Sequence, residues 1–419
     1  AVLSAFSKIE DVTDIITPDL KGNGEIYLID LGNGNQRLGG SAFEQVKSSI
    51  SSDIPKIDDI NSIKEFFKLS QILVSQRIIS AYHDKSDGGL FTTLTEMAFS
   101  GNKSLKLDKI LSYIDTNEKL NKFFFNEELG VVVEVPKKKK KVFKRICDKY
   151  MTKSSLIPLG TSLSRENQTI DIKSYYPITL MLSDLRKSWS KLSYNIQRLR
   201  DNPKTALEEY NSKINIHKLN IKPKYKYKSR VVRKVFKNRK PKVAIFREQG
   251  VNGHKEMANA FINSGFECHD ITTNDLSKSL NGFSGLIACG GFSYGDVLGA
   301  GRGWSQKILQ NNQYRDELES FFSDTSKFAL GVCNGCQMLS HLTDIIPGSN
   351  SWPLFSQNKS RQFEARMSRV IIKKSNSIFL KNMAGSVLPL IVSHGEGKAI
   401  FKNKKDINNA IINYIDLTN

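Results

Sequence analysis

The sequence has no run of the roughly 18 to 20 apolar residues that a membrane-spanning helix needs, so a helical span is not expected. It opens without a basic and then apolar leader, and its five cysteines form no paired framework. Both absences point to a reducing, cytoplasmic compartment and away from a secreted disulfide scaffold or a membrane partner. An opening Met is also missing, and the sequence closes on "INYIDLTN", which reads as a strand. A piece of a longer chain, truncated at both ends, is therefore expected. The stretch from Lys213 to Lys242 holds no acidic residue.

What is present is positive charge. Lys and Arg number 62 against 42 Asp and Glu, a net +20, concentrated in "PKKKKKVFKR" at 136–145 and in the Lys213–Lys242 stretch. Aromatic residues interleave in the second run, as they do in some RNA-binding segments. The plainer reading is a solvated surface rich in lysine, and nucleic acid is not expected as a partner. A hydrophobic content of 39% with 25% charged residues is ordinary for soluble globular chains, and 419 residues suggest two domains and a connector.

Three blocks follow from the periodicity. Residues 1–178 alternate strand-like runs ("GEIYLIDLG", "LGVVVEVP") with helix-like ones ("SIKEFFKLSQILVSQRIIS", "LFTTLTEMAFS"), which predicts an α/β domain. Residues 179–240 hold one helical pattern, "LMLSDLRKSWSKLSYNIQRLRDNP", and then the basic run, and read as a connector. From residue 241 to 419 strand, turn and helix repeat, the pattern of a doubly wound parallel sheet.

In such sheets chemistry collects at the carboxyl ends of the strands. There "ALGVCNGCQMLSHL" (329–342) sets Cys333 between Gly331 and Gly335, a Gly-x-nucleophile-x-Gly turn from strand to helix. A sulfur at a helix start is favoured as thiolate, and the N–H of Asn334 is placed to meet a developing oxyanion. The turn "IACGGFSYG" offers Gly290 and Gly291 as the second half of that oxyanion hole. Two alternatives stay open for Cys333: buried filler, as Cys147, Cys268 and Cys289 read, or a redox or metal C-x-x-C with Cys336. In the first block "HDKSDGG" (83–89) is either a nucleotide-site motif or only a turn that caps the helix from Leu90 onward.

"REQGVNGHKEMANAF", "ACGGFSYGDVLGAG", "ALGVCNGCQM" and "VSHGEGKA" closely resemble the class I glutamine amidotransferase domain of the large single-chain phosphoribosylformylglycinamidine synthase family. "IYLIDLGNGNQRLGGSA", "AYHDKSDGGLFTTLTEMAF", "FNEELGVVVEV" and "QRLRDNP" resemble the second half of that family's synthetase region, of the aminoimidazole ribonucleotide synthetase superfamily. The resemblance implies an ATP-dependent, glutamine-hydrolysing ligase that turns formylglycinamide ribonucleotide into its amidine. It implies that Cys333 forms a glutamyl thioester, that Gln337 and His394 wall the glutamine pocket, that Asp84 binds magnesium and that Ser86 contacts ATP or ADP. The implied partners are glutamine, formylglycinamide ribonucleotide, ATP and the N-terminal remainder of the same enzyme. His394 and Glu396 have the residue types of a base and its orienting carboxylate. The family's catalytic His and Glu, however, lie in a later His-Pro-Glu segment, expected beyond the last residue here. The alternative from another class is a basic, non-catalytic RNA-binding or scaffold protein on an amidotransferase-like fold.

Overall fold

Strand β1 (Gly24–Asp30) is buried along its whole length because both of its faces are apolar. Ile26 and Leu28 point into one core, Tyr27 and Ile29 into another, so the period of 2 places a hydrophobic layer on each side of one sheet. The computed structural model describes residues 4–114, 116–151, 155–165, 168–174, 177–214, 220–225 and 240–415. These divide into two compact units, residues 1–192 with 213–215, and 193–212 with 216–419.

In the first unit β1 is followed by α1 (Ala42–Lys47), α2 (Ile60–Ser75), β2 (Ala81–Asp84), α3 (Gly89–Gly101), β3 (Ser104–Leu107) and α4 (Asn117–Phe125). Then come β4 (Gly130–Pro136), α5 (Lys140–Tyr150), β5 (Leu156–Leu163), β6 (Thr169–Ile172) and β7 (Ile178–Met181). The seven strands form one sheet in the order β2-β4-β1-β5-β3-β6-β7. All neighbours are antiparallel except β3 with β6. Helices α3 and α4 cover one face through Leu90, Leu94, Met97, Phe123 and Phe124. The other face is covered by α2 and α5 through Leu69, Leu73, Phe143 and Cys147. Helices thus flank both faces of a sheet that is mainly antiparallel. The lysines of "PKKKKKVFKR" run into α5, where Phe143 and Cys147 are buried and Lys140 pairs with Glu25 at 2.6 Å, which is how an amphipathic surface helix spends such a run.

Two helices follow, α6 (Leu182–Arg200) and α7 (Pro203–Ile214), and the basic run beyond them lies largely outside the described residues. The second unit continues with β8 (Lys242–Arg247), α8 (His254–Asn263), β9 (Glu267–Thr272), β10 (Gly285–Ala288), α9 (Arg302–Leu309), α10 (Asn312–Ser323), β11 (Phe328–Gly331) and α11 (Asn334–Ser340). Its sheet, β11-β10-β8-β9, is parallel throughout. Because β9 lies on one side of β8 and β10 on the other, the winding reverses between β8 and β10, and a crevice opens at their carboxyl ends. Trp304, Phe246, Ile245, Leu286 and Met338 are wholly buried in the core beneath it. The chain ends in short antiparallel pieces: β12 (Leu354–Ser356) pairs with β15 (Lys398–Ile400), and β13 (Glu364–Ile372) lies between β14 (Val387–His394) and β16 (Ile412–Tyr414).

Candidate active site

The strand β11 ends at Gly331, and Cys333 begins α11 in a left-handed conformation, φ 52° and ψ −116°, with its side chain exposed. A non-glycine residue held there costs on the order of 1 to 3 kcal/mol and persists only where neighbours enforce it. The glycines explain the enforcement. A Cβ on Gly335 would lie 2.2 Å from the Ala288 carbonyl oxygen, and one on Gly331 would lie 2.7 Å from Leu339 Cδ1. Helix α11 therefore sits directly on the end of β10. A Cβ on Gly290 would come within 3.1 Å of Cys333 Cβ, so the second glycine turn is the opposite wall of the sulfur. Gly290 and Gly291 are held by the loop after β8: Gly290 O accepts the N–H groups of Asn252 and Gly253 at 3.2 and 3.1 Å, and Phe292 N–H donates to Gly250 O at 3.0 Å. Among the described residues neither the Gly291 N–H nor the Asn334 N–H has an acceptor, which leaves both donors free.

The side chains behind the sulfur form one network. Asn334 is wholly buried; its Oδ1 accepts Ser293 N–H at 3.2 Å, and its Nδ2 donates to Asp296 Oδ1 at 3.0 Å and Gln337 Oε1 at 3.4 Å. Gln337 Nε2 donates to the Glu396 carbonyl at 2.6 Å, and the Glu396 carboxylate accepts Ala300 N–H at 2.7 Å. His394 and Glu396 do not pair. His394 Nδ1 lies 3.0 Å from Asn358 Oδ1, an oxygen that also accepts Gly397 N–H, and burial lowers the imidazole below its usual pKa. Asp296 and Asn358 carry no local sequence signature of this role; each reaches its partners from more than 30 residues away, Asp296 to Asn334 and Asn358 to His394.

The other thiols differ from Cys333. Burial pushes Cys147 and Cys289 up to about 12, and raises Cys268 and Cys336, the last also through the neighbouring Cys333. All five cysteines are free, and among the described residues no group of three or more His, Cys, Asp or Glu side chains could hold a metal ion. Among the described residues the C-x-x-C pair thus has no further ligands with which to build a metal centre.

In the first unit Asp84 closes β2 and is exposed, as is Ser86. The Ser86 carbonyl accepts Gly89 N–H at 2.9 Å, and the cap of α3 is Gly88, with no side-chain cap bond from Asp84, Ser86 or Asp87. Glu127 takes the Gly88 N–H instead, at 2.7 Å. Lys85 is buried, bonds Asn126 Oδ1 at 2.6 Å, and is lowered by burial to about 8 against the pull of Asp30, Glu128 and Glu127. Magnesium is commonly held by one or two carboxylates together with substrate phosphates and water, so the exposed Asp84 carboxylate fits that ion only alongside a bound nucleotide, and among the described residues no group of three or more His, Cys, Asp or Glu side chains forms a cage of its own.

Residues 240–417 match the CobB/CobQ-like glutamine amidotransferase domain, and residues 26–157 match the C-terminal domain of AIR synthase related proteins. Among solved structures, a chain of PurLQS from Thermotoga maritima is 22% identical over 42% of this chain and 76% of its own, with a TM-score of 0.36. T. maritima PurL complexed with FGAR is 12% identical over 42% of this chain and 30% of its own, TM-score 0.32. Hydrogenase maturation protein HypE is 14% identical over 40% and 55%, TM-score 0.29. This chain thus spans most of the first of these and about a third to a half of the other two. The chain thus carries an AIR synthase related C-terminal domain and, after it, a CobB/CobQ-like glutamine amidotransferase domain.

Proposed function

We propose that this chain supplies the glutaminase nucleophile and part of the synthetase of an ATP-dependent, glutamine-hydrolysing ligase that converts formylglycinamide ribonucleotide to formylglycinamidine ribonucleotide in purine biosynthesis. The observation that carries the reading is the exposed Cys333 in a strained elbow facing Gly290, with two unpaired N–H donors, at Gly291 and Asn334, in the same crevice. In the reading, Cys333 sulfur attacks the side-chain amide carbon of glutamine, and the oxygen takes the developing charge between the two N–H groups. Collapse releases ammonia and leaves a glutamyl thioester, which water hydrolyses.

Gln337 and the segment around His394 form the pocket wall, held in place by the Gln337 bond to Glu396 O and the Asn358 bonds to His394 and Gly397. His394 is not given the role of base, because Glu396, the carboxylate that would orient it, accepts the Ala300 N–H and does not pair with the imidazole. ATP would supply the phosphoryl group that turns the acceptor's amide oxygen into a leaving group. On this chain Ser86 is the proposed contact to that nucleotide, and Asp84 a magnesium ligand completed by groups outside the described residues.

The test is labelling with a glutamine-mimicking diazo-ketone at pH 8, followed by peptide mapping. Cys333 is expected to take the label ahead of the other four cysteines, with Cys147 and Cys289 unreactive until the chain is unfolded, since their thiols remain protonated far above that pH. Equal labelling of Cys336 or Cys289 would remove the reading.

A further inference from the structure

Asp296, in the loop after β10, lies at φ 52°, and Tyr294 in the same loop at φ 53°. Two non-glycine residues in the left-handed region within three positions need external restraint. The Asn334 side chain provides it. An amide side chain can be flipped at little intrinsic cost, so its orientation is decided by what it meets. Asp296 Oδ1, 3.0 Å from Nδ2, takes the NH2 group and leaves Oδ1 for the Ser293 N–H at 3.2 Å. The Ser293 hydroxyl is buried without a partner among the described residues and adds nothing to this fastening. Behind it, Gly301 packs so closely that a Cβ there would lie 2.4 Å from Met338 N, which pins the far end of the loop on α11. Burial lifts the Asp296 carboxyl above the usual range, the bonds from Asn334 and Gly301 oppose this, and the Glu396 charge adds to it.

We propose that Asp296 is a positioning residue for the glutaminase half-reaction: by fixing the Asn334 side chain, it sets the Asn334 peptide N–H beside Cys333 in the direction the oxyanion requires. The proposal deepens the glutaminase reading and rests on it. It places a requirement on the residue that follows the nucleophile, whose side chain, not only its N–H, belongs to the machinery.

The test uses the 419-residue chain and two probes. Glutaric semialdehyde, which lacks the amine that would cyclise, adds Cys333 sulfur to its carbonyl carbon while the thiol proton passes to the oxygen, so the reversible hemithioacetal reports the oxyanion donors. Iodoacetamide loses iodide at a saturated carbon and does not. Asp296→Ala is expected to weaken the hemithioacetal about tenfold or more, while iodoacetamide alkylation of Cys333 stays within about twofold. Asp296→Asn keeps an acceptor oxygen for Asn334 and should restore most of the loss. An unchanged hemithioacetal in Asp296→Ala overturns the proposal, as does an equal fall with both probes in both variants, which marks a purely structural role. A parent chain that gives no hemithioacetal at Cys333 at all, yet alkylates there, overturns the glutaminase reading and this proposal with it.

Discussion

At Gly290 the absence of one methyl group decides access to the sulfur. Its backbone is outside the left-handed region, so Gly290→Ala brings little backbone strain, but the new Cβ would stand 3.1 Å from Cys333 Cβ and 3.8 Å from its Sγ. Stability is expected to change by less than about 1 kcal/mol while labelling of Cys333 by the glutamine mimic slows about tenfold or more, because small displacements at a reacting centre are costly. Mass-resolved labelling kinetics beside a urea titration measure both. Lys85 makes a different prediction. Its folded pKa, about 8, is below the ordinary 10.5, so below pH 8 the amine is charged in both states and burial opposes folding in full. Between pH 8 and 10.5 the folded chain gives up the proton that the unfolded chain keeps. Stability therefore rises over that window, by on the order of 3 kcal/mol, and levels off above it. Protection of the β1 and β4 amides from hydrogen exchange should rise with pH accordingly, after correction for intrinsic exchange, and the rise should vanish in Lys85→Met.

For the elements, the informative boundary is the start of α3. Asp and Ser before a helix suggest a side-chain cap, yet Gly88 and Gly89 begin it at φ 82° and 67°, and at Gly89 the backbone of residues 124–126 passes where a Cβ would be, 2.6 Å from Asn126 O. Gly89→Ala should cost on the order of 3 kcal/mol through left-handed strain and overpacking together. Gly34→Ala, at φ 80° with open space around it, should cost only about 1 kcal/mol. Urea midpoints of the two variants decide it. Equal costs would mean that the close approach does not hold α3 in place. The strand β11 and helix α11 are the opposite case, legible from residues 329–342 alone, because the glycines, the apolar run and the helical period all lie in one short segment.

Over the whole molecule, the net charge of +20 is compatible with two outcomes, and salt separates them. Among the described residues Lys140 and Lys109 are spent on the buried Glu25 of β1, pairs that hold the fold and do not serve a polyanion. A labelled RNA is expected to be retained at low salt and released steeply as salt rises toward physiological strength, as for any nonspecific polycation. Labelling of Cys333 in the same titration should hold constant. Retention at physiological salt with sequence preference would revive the nucleic-acid reading.

The sequence by itself determined the two α/β blocks, the strands β1, β4, β8 and β10, the elbow at Cys333 and the glycine turn facing it. These depend on steric and periodic rules that act over a few residues. The tertiary structure decided everything that needed partners distant in the chain. It made the first sheet antiparallel around β1, whose neighbours β4 and β5 come more than 90 residues later. It gave the Gly88 N–H to Glu127, and it sent His394 to Asn358 and Glu396 to Ala300 although their spacing suggested a pair. A hydrogen bond has no preference for sequence separation, and which donor meets which acceptor is settled only when the packed core fixes the backbone around both.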